Sequence, residues 1–211
     1  MHAGIIRLLF FWVLIGSAGL LRGAEAELRT VVFFGDSLTA GYGLENPGAN
    51  SYPALIQMKI DAKELPWRVV NAGLSGETTA GGLRRVDWIL RQPVDIFVLA
   101  LGANDGLRGI PPAVSRQNLE QILSRVRARY PSAVLVLAGM QMPPQMGPEF
   151  AGAFGRMFPE VAEKFQARLI PFLLAEVGGL PELNQGDGIH PNPAGHTIVA
   201  ENVWKILLPL L

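Results

Sequence analysis

Five short apolar runs, over residues 30–34, 68–70, 96–101, 133–138 and 169–173, set the fold class of this 211-residue chain. Each is too short for a helix and rich in Val, Leu, Ile or Phe, and each is apolar almost without interruption rather than alternately. A strand reads that way when both of its faces are buried, as in a parallel sheet covered by helices on either side. The intervals carry helical periodicity of crossover length. Leu119, Ile122, Leu123 and Val126 recur at i, i+3, i+4 and i+7. Further helices are expected over residues 51–63, 82–91, 148–166 and 193–208, the last opening on Pro193 and ending before Pro209. The pattern predicts an α/β domain: a three-layer, doubly wound, five-stranded parallel sheet with no internal repeat and no linker.

The N-terminus stands outside that pattern. Arg7 precedes an apolar run over residues 8–21, which is followed by Ala24-Glu25-Ala26. A short apolar run ending in a small-x-small tripeptide is the form of a secretory signal peptide, and it falls short of the ~20 residues that span a bilayer. Residues 1–26 are therefore expected to be a cleaved leader and residues 27–211 the exported domain, periplasmic or secreted, with no stable membrane anchor; an uncleaved anchor is the alternative. Composition narrows the remaining classes. With 49% hydrophobic and 17% charged residues the chain is too apolar for intrinsic disorder. Its 18 basic and 18 acidic side chains, with no basic run, argue against a nucleic-acid partner. The absence of cysteine excludes disulfides, thiolate metal sites and a lipidated cysteine at the cleavage point. A monomer stabilised by its core alone is expected.

In a doubly wound sheet, ligands bind beyond the carboxyl ends of the strands. The residues just after the apolar runs are rich in reactive and polar groups: Asp36, Ser37 and Thr39 after the first, Asn71 to Thr78 after the second, Asn104 and Asp105 after the third, and Asp187 and His190 beyond the fifth. Serine needs a base to take its proton, and histidine is the usual one. His190 follows Asp187 by three residues in a Gly-containing loop bounded by Pro191, so the carboxylate can fix the imidazole tautomer. His196 has no such partner nearby and reads as a residue of the last helix, packed or solvent-facing. Asp36 reads as structural, shaping the turn before Ser37. The chain lacks the G-x-S-x-G elbow of α/β-hydrolases. Oxyanion donors are nonetheless available from three strand ends: the Ser37 amide, the Gly76 amide and the Asn104 side chain.

These residues make the chain resemble the SGNH (GDSL-type) hydrolases, named for the Ser, Gly, Asn and His of four sequence blocks. Gly35-Asp36-Ser37-Leu38 matches the first block, Asn71-Ala72-Gly73-Leu74-Ser75-Gly76-Glu77-Thr78 the second, Gly102-Ala103-Asn104-Asp105 the third and Asp187-Gly188-Ile189-His190-Pro191-Asn192 the last. The match runs from about Val31 to Trp204. The resemblance implies a flavodoxin-like sheet, Ser37 as nucleophile, Asp187 and His190 as orienting acid and base, and Ser37, Gly76 and Asn104 as the oxyanion hole, with no metal and no cofactor. Glu77 departs from the pattern, in which Asp is common beside the second-block glycine. The stretch from Asn104 to Gly109 is most similar to the bacterial acyl-CoA thioesterase I/lysophospholipase/arylesterase group, which implies small-molecule acyl ester and thioester substrates and a loop over residues 106–111 that meets the acyl chain.

Leu107, Ile110 and Met142 are the candidate substrate-binding residues. Met140, Met142 and Met146 lie beside Pro143 and Pro144, and Phe150, Phe154, Met157 and Phe158 follow; such a soft, apolar region suits an adaptable acyl pocket or simply packs the next helix onto the sheet. A carbohydrate or peptidoglycan O-acetylesterase of the same fold and a non-catalytic binding protein are the other readings, the last weakened by the full set of catalytic residues.

Overall fold

The structure, a computed structural model, describes residue 1 and residues 28–211. The leader expected over residues 1–26 lies, apart from residue 1, outside the described residues. The chain runs β1 (Arg29–Gly35), α1 (Ser37–Ala40), α2 (Pro47–Asn50), α3 (Tyr52–Asp61), β2 (Trp67–Asn71), α4 (Thr79–Ile89), β3 (Ile96–Ala100), α5 (Ala103–Leu107), α6 (Pro112–Arg129), β4 (Val134–Ala138), α7 (Pro148–Phe165), β5 (Arg168–Ile170) and α8 (Pro193–Leu207).

Five parallel strands form one sheet in the order β2-β1-β3-β4-β5. Helices α3 and α8 pack together on one side, and α4, α6 and α7 form the neighbouring pairs of the other layer. The burial of both sheet faces is visible in successive residues of β1. Phe33 meets Tyr52 of α3 edge-on at 5.5 Å, whereas Phe34, directed to the opposite face, lies 5.5 Å from Phe97 and under Gly82 of α4. Every residue of β3 is buried, which accounts for its unbroken apolarity in the sequence. Each large side chain so removed from water contributes roughly 1.5–3 kcal/mol.

The strand order reverses between β1 and β3, since the chain steps from β1 to β2 in one direction and then adds β3, β4 and β5 on the other side. The loops after β1 and β3 diverge there and leave a crevice at the carboxyl edge.

Two boundaries differ from the sequence expectation by three residues, the others by at most two. The fifth run extends to Leu173, but β5 ends at Ile170 because Pro171 has no N–H for the ladder. The second expected helix begins at Thr79 rather than Gly82. The Thr78 hydroxyl accepts from the Gly81 N–H as N-cap and carries the helix through two glycines. Gly82 permits close packing there, since a Cβ would stand 2.4 Å from Leu101 Cδ1.

Candidate active site

Ser37 is the first residue of α1, placed by a sharp turn out of β1. Gly35 makes the turn possible: a Cβ there would lie 2.0 Å from Thr39 Oγ1 and 2.8 Å from the Ala100 carbonyl. Asp36 caps the helix, its carboxylate accepting from the Leu38 N–H at 3.0 Å. At the other side of the crevice, residues 184–192 form a closed loop. Gln185 N donates to the His190 carbonyl at 2.7 Å, Asn184 bridges Pro191, and Asn192 caps α8 through the Gly195 N–H. The turn at Gly188 requires φ +74°.

The loop brings the base to the hydroxyl. His190 Nε2 lies 2.9 Å from Ser37 Oγ, and His190 Nδ1 lies 2.6 Å from Asp187 Oδ2. The other carboxylate oxygen of Asp187 accepts from the backbone N–H groups of Ile189 and His190, both at 3.0 Å. The imidazole contact, followed by those two backbone donors, holds the Asp187 carboxyl down at about 2. It therefore remains an anion wherever the imidazole works. With that charge on Nδ1, the Nδ1–H tautomer is favoured and Nε2 is left as an acceptor facing the serine hydroxyl.

The expected oxyanion donors lie on the loops after three strands, β1, β2 and β3; Ser37 and Asn104 line one cleft, and Gly76 is not among its lining residues. Neither the Ser37 nor the Gly76 N–H donates to a backbone acceptor among the described turns, loops and caps. Gly76 adopts φ +77°, a conformation that disfavours a side chain, and its carbonyl accepts from Arg108 Nη2 at 3.0 Å. Asn104 Nδ2 donates to the Glu77 carbonyl at 3.1 Å and retains its second hydrogen. The neighbouring Asp105 is fully buried and fixes α5: its carboxylate accepts from Thr79 N at 2.8 Å, Thr79 Oγ1 at 2.5 Å and Ser115 Oγ at 3.1 Å. Glu77, the departure from the family pattern, is buried against Arg85. Arg85 Nε donates to both its carboxylate oxygens, and Arg85 Nη2 also reaches the Ala72 carbonyl at 3.0 Å. The longer acid thus ties the Gly76 turn to α4. Replacing Asn104 by alanine is expected to lower kcat by roughly 10²–10³ with little change in KM, because an oxyanion donor acts on the transition state. Steady-state kinetics on an aryl ester check this, and a change in KM alone would make Asn104 a substrate-positioning group.

Asp36 and His196 remain outside the relay. His196 is buried and accepts from the Tyr52 N–H through Nδ1 at 3.2 Å; burial holds it down at about 4. Of the two roles expected for it, packing is the one observed. Asp36 is 1% exposed, and burial pushes its carboxyl up to about 7, with the Asp105 and Glu77 charges adding to the effect. The unfolded chain releases the same proton near pH ~4. Between those values the native state binds the extra proton, so this group makes stability fall as pH rises. Asparagine keeps the capping oxygen without the titration. The stability of Asp36→Asn relative to the wild type is therefore expected to increase between pH 4 and pH 8, by up to about 4 kcal/mol. Denaturant unfolding at the two pH values measures it, and a constant difference would contradict the account.

A cleft of about 400 Å³ opens beside Ser37. Leu107 and Met142 line it, as does Met140, whereas Ile110 and Met146 do not. Ile110 is half-buried at the end of α5, where its N–H donates to the Asp105 carbonyl and Pro111 and α6 follow directly. Phe154, Met157 and Phe158 are buried under the sheet and serve packing. The sequence reading missed Phe172 and Leu174, which follow β5 into the cleft, and Ile189, next to the base; the last sits inside the fourth block and was within reach. Among the described residues, no group of three or more His, Cys, Asp or Glu side chains is gathered for a metal ion, and no helix is long and apolar enough to cross a membrane.

A serine hydroxyl, an imidazole and a carboxylate in hydrogen-bonded relay at the switch point of a parallel sheet are a set of groups that can carry out acyl transfer. The chain belongs to the GDSL-like lipase/acylhydrolase family, whose profile matches residues 33–198. It is 40% identical over 188 residues to the esterase TesA of Pseudomonas aeruginosa, covering 89% of this chain and 92% of that one. It is 38% identical over 193 residues to the thioesterase 1/protease 1/lysophospholipase L1 of Escherichia coli, covering 91% and 89%. Among solved structures, the psychrotrophic esterase EstA from Pseudoalteromonas sp., inhibited by monoethylphosphonate, superimposes with a TM-score of 0.80 at 32% identity, over 86% of this chain and 98% of that one.

Proposed function

We propose that the protein hydrolyses carboxylic esters and thioesters of apolar acyl groups through an acyl-Ser37 intermediate. The observation that carries the reading is the continuous relay from Ser37 Oγ through both nitrogens of His190 to Asp187. In the first half-reaction Ser37 Oγ attacks the acyl carbon as its proton passes to His190 Nε2. The oxyanion is met by the Ser37 and Gly76 amides and Asn104 Nδ2. The tetrahedral intermediate collapses, His190 returns the proton to the departing alcohol or thiol, and the acyl group stays on Ser37. Water then attacks the acyl-enzyme, losing its proton to His190, and the carboxylic acid leaves as Ser37 regains its hydrogen. No cofactor enters this scheme.

The substrate class follows from the cleft and the relatives together. Leu38, Leu107, Met140, Met142, Phe172 and Ile189 give it a predominantly apolar wall, suited to a hydrocarbon chain. The names esterase and thioesterase/lysophospholipase borne by the relatives point the same way; acyl-CoA, lysophospholipids and aryl esters are the substrates proposed. With the leader over residues 1–26, the site of action is outside the cytoplasm, in the periplasm or beyond it.

Each added methylene that enters the cleft contributes up to ~0.8 kcal/mol to binding, so kcat/KM is expected to rise from acetyl toward medium-chain p-nitrophenyl esters. Leu107→Ser is expected to flatten the rise while sparing the acetyl ester, because Leu107 touches the cleft and not the relay. A preference for acetylated sugars over every longer acyl ester would instead assign the protein to glycan deacetylation.

A further inference from the structure

We infer that Tyr42 is a positioning residue for the base: its ring stabilises His190 in the charged, proton-carrying form that the imidazole takes in the transition state. The inference rests on the catalytic reading above and concerns a residue that lies outside the relay and the oxyanion hole.

Tyr42 is 53% exposed and has no place in the core. Yet its ring centroid lies 4.8 Å from that of His190, with the planes inclined at 46°. Its backbone is fixed by both halves of the catalytic apparatus. The Tyr42 N–H donates to the carbonyl of Ser37 at 3.0 Å, and the Tyr42 carbonyl accepts from Gln185 Nε2 at 2.7 Å. The same Gln185 amide donates to the Pro191 carbonyl at 3.0 Å, while Gln185 N holds the His190 carbonyl. Gln185 therefore fastens the nucleophile loop to the base loop with Tyr42 between them. Gly43, at φ +75°, leaves room for this contact, since a Cβ would stand 2.0 Å from Gln185 Oε1.

The consequence is electrostatic. In the proposed reaction His190 takes the Ser37 proton and becomes cationic in the transition state. The negative face of an aromatic ring within ~6 Å attracts a cation more than a neutral ring. Asp187 Oδ2 lies at Nδ1 of the imidazole and Ser37 Oγ at Nε2, while the nearby His196 is held down at about 4 by burial and so adds no positive charge near neutral pH. Tyr42 lies against the ring itself. An interaction strengthened only when the imidazole gains its proton raises kcat and leaves KM unchanged.

Tyr42→Leu tests this by removing the quadrupole, with Tyr42→Phe as the conservative variant and fluorinated phenylalanines incorporated at position 42 to weaken the ring's negative face in steps. Two readouts apply: kcat and KM on p-nitrophenyl butyrate, and the second-order rate of Ser37 phosphonylation, which needs no natural substrate. Tyr42→Leu is expected to lower kcat about three- to tenfold at constant KM. Phenylalanine should restore it, and log kcat and log phosphonylation rate should fall step by step with fluorination. A wild-type kcat in Tyr42→Leu, or equal rates across the fluorinated series, overturns the inference. Failure of the wild type to be phosphonylated at Ser37 overturns instead the catalytic reading beneath it.

Discussion

Asp187→Asn is expected to lower kcat by about 10³–10⁴ without unfolding the protein. The reason lies in how Asp187 is held. Its Oδ1 accepts two backbone N–H bonds, from Ile189 and His190, while Oδ2 faces His190 Nδ1. An asparagine oxygen can keep the two backbone bonds, and doing so turns the NH₂ group toward Nδ1. Nδ1 must then become the acceptor and the imidazole proton moves to Nε2, where it faces Ser37 Oγ. The base is thereby presented in the tautomer that cannot take the serine proton. Because the Asp187 carboxyl lies at about 2, the wild-type acid stays ionised over the working range, and the defect should persist from pH 6 to pH 8. Wild-type turnover by the variant across that range would exclude Asp187 as the orienting acid.

Ser37→Ala is expected to lower kcat/KM at least a thousandfold, about the loss seen when a covalent nucleophile is removed and only the oxyanion donors and the binding cleft remain. The variant should keep its fold. Among the described residues Ser37 Oγ bonds only His190, and the cap of α1 is made by Asp36 rather than by the serine. Its Tm should stay within about 3 °C of the wild type, the shift that ~1 kcal/mol makes in a domain of this size. Loss of activity together with loss of the thermal transition would make Ser37 a structural residue.

The sheet could be read from the sequence because β1, β3 and β4 are buried on both faces, which leaves apolarity no room to alternate. Where the pattern failed, a local covalent constraint took over. Pro171 stops β5 short of the apolar residues that follow, and Phe172 and Leu174 turn into the cleft instead. The short helices α1, α2 and α5, of four or five residues each, leave no periodicity to detect. The candidate relay could be proposed because each member directly follows a strand or precedes a capped helix, positions that the fold brings to one edge. Ile110, expected beside Leu107, is not among the residues lining the cleft, and its spacing from Leu107 carries no signal that separates the two. Tyr42 went unnoticed because its contact with His190 is made across 148 residues of chain through Gln185, and no spacing in the sequence records it.

An acyl-Ser37 mechanism makes one covalent commitment, and a serine-directed alkyl phosphonate reads it out. Incubated with the protein and followed by peptide mass spectrometry, the reagent should add a single phosphonyl group to Ser37 in step with the loss of esterase activity, with no label on Ser37→Ala and no effect of chelators. A label on Ser75, or an unlabelled protein whose activity vanishes with chelation, would contradict it.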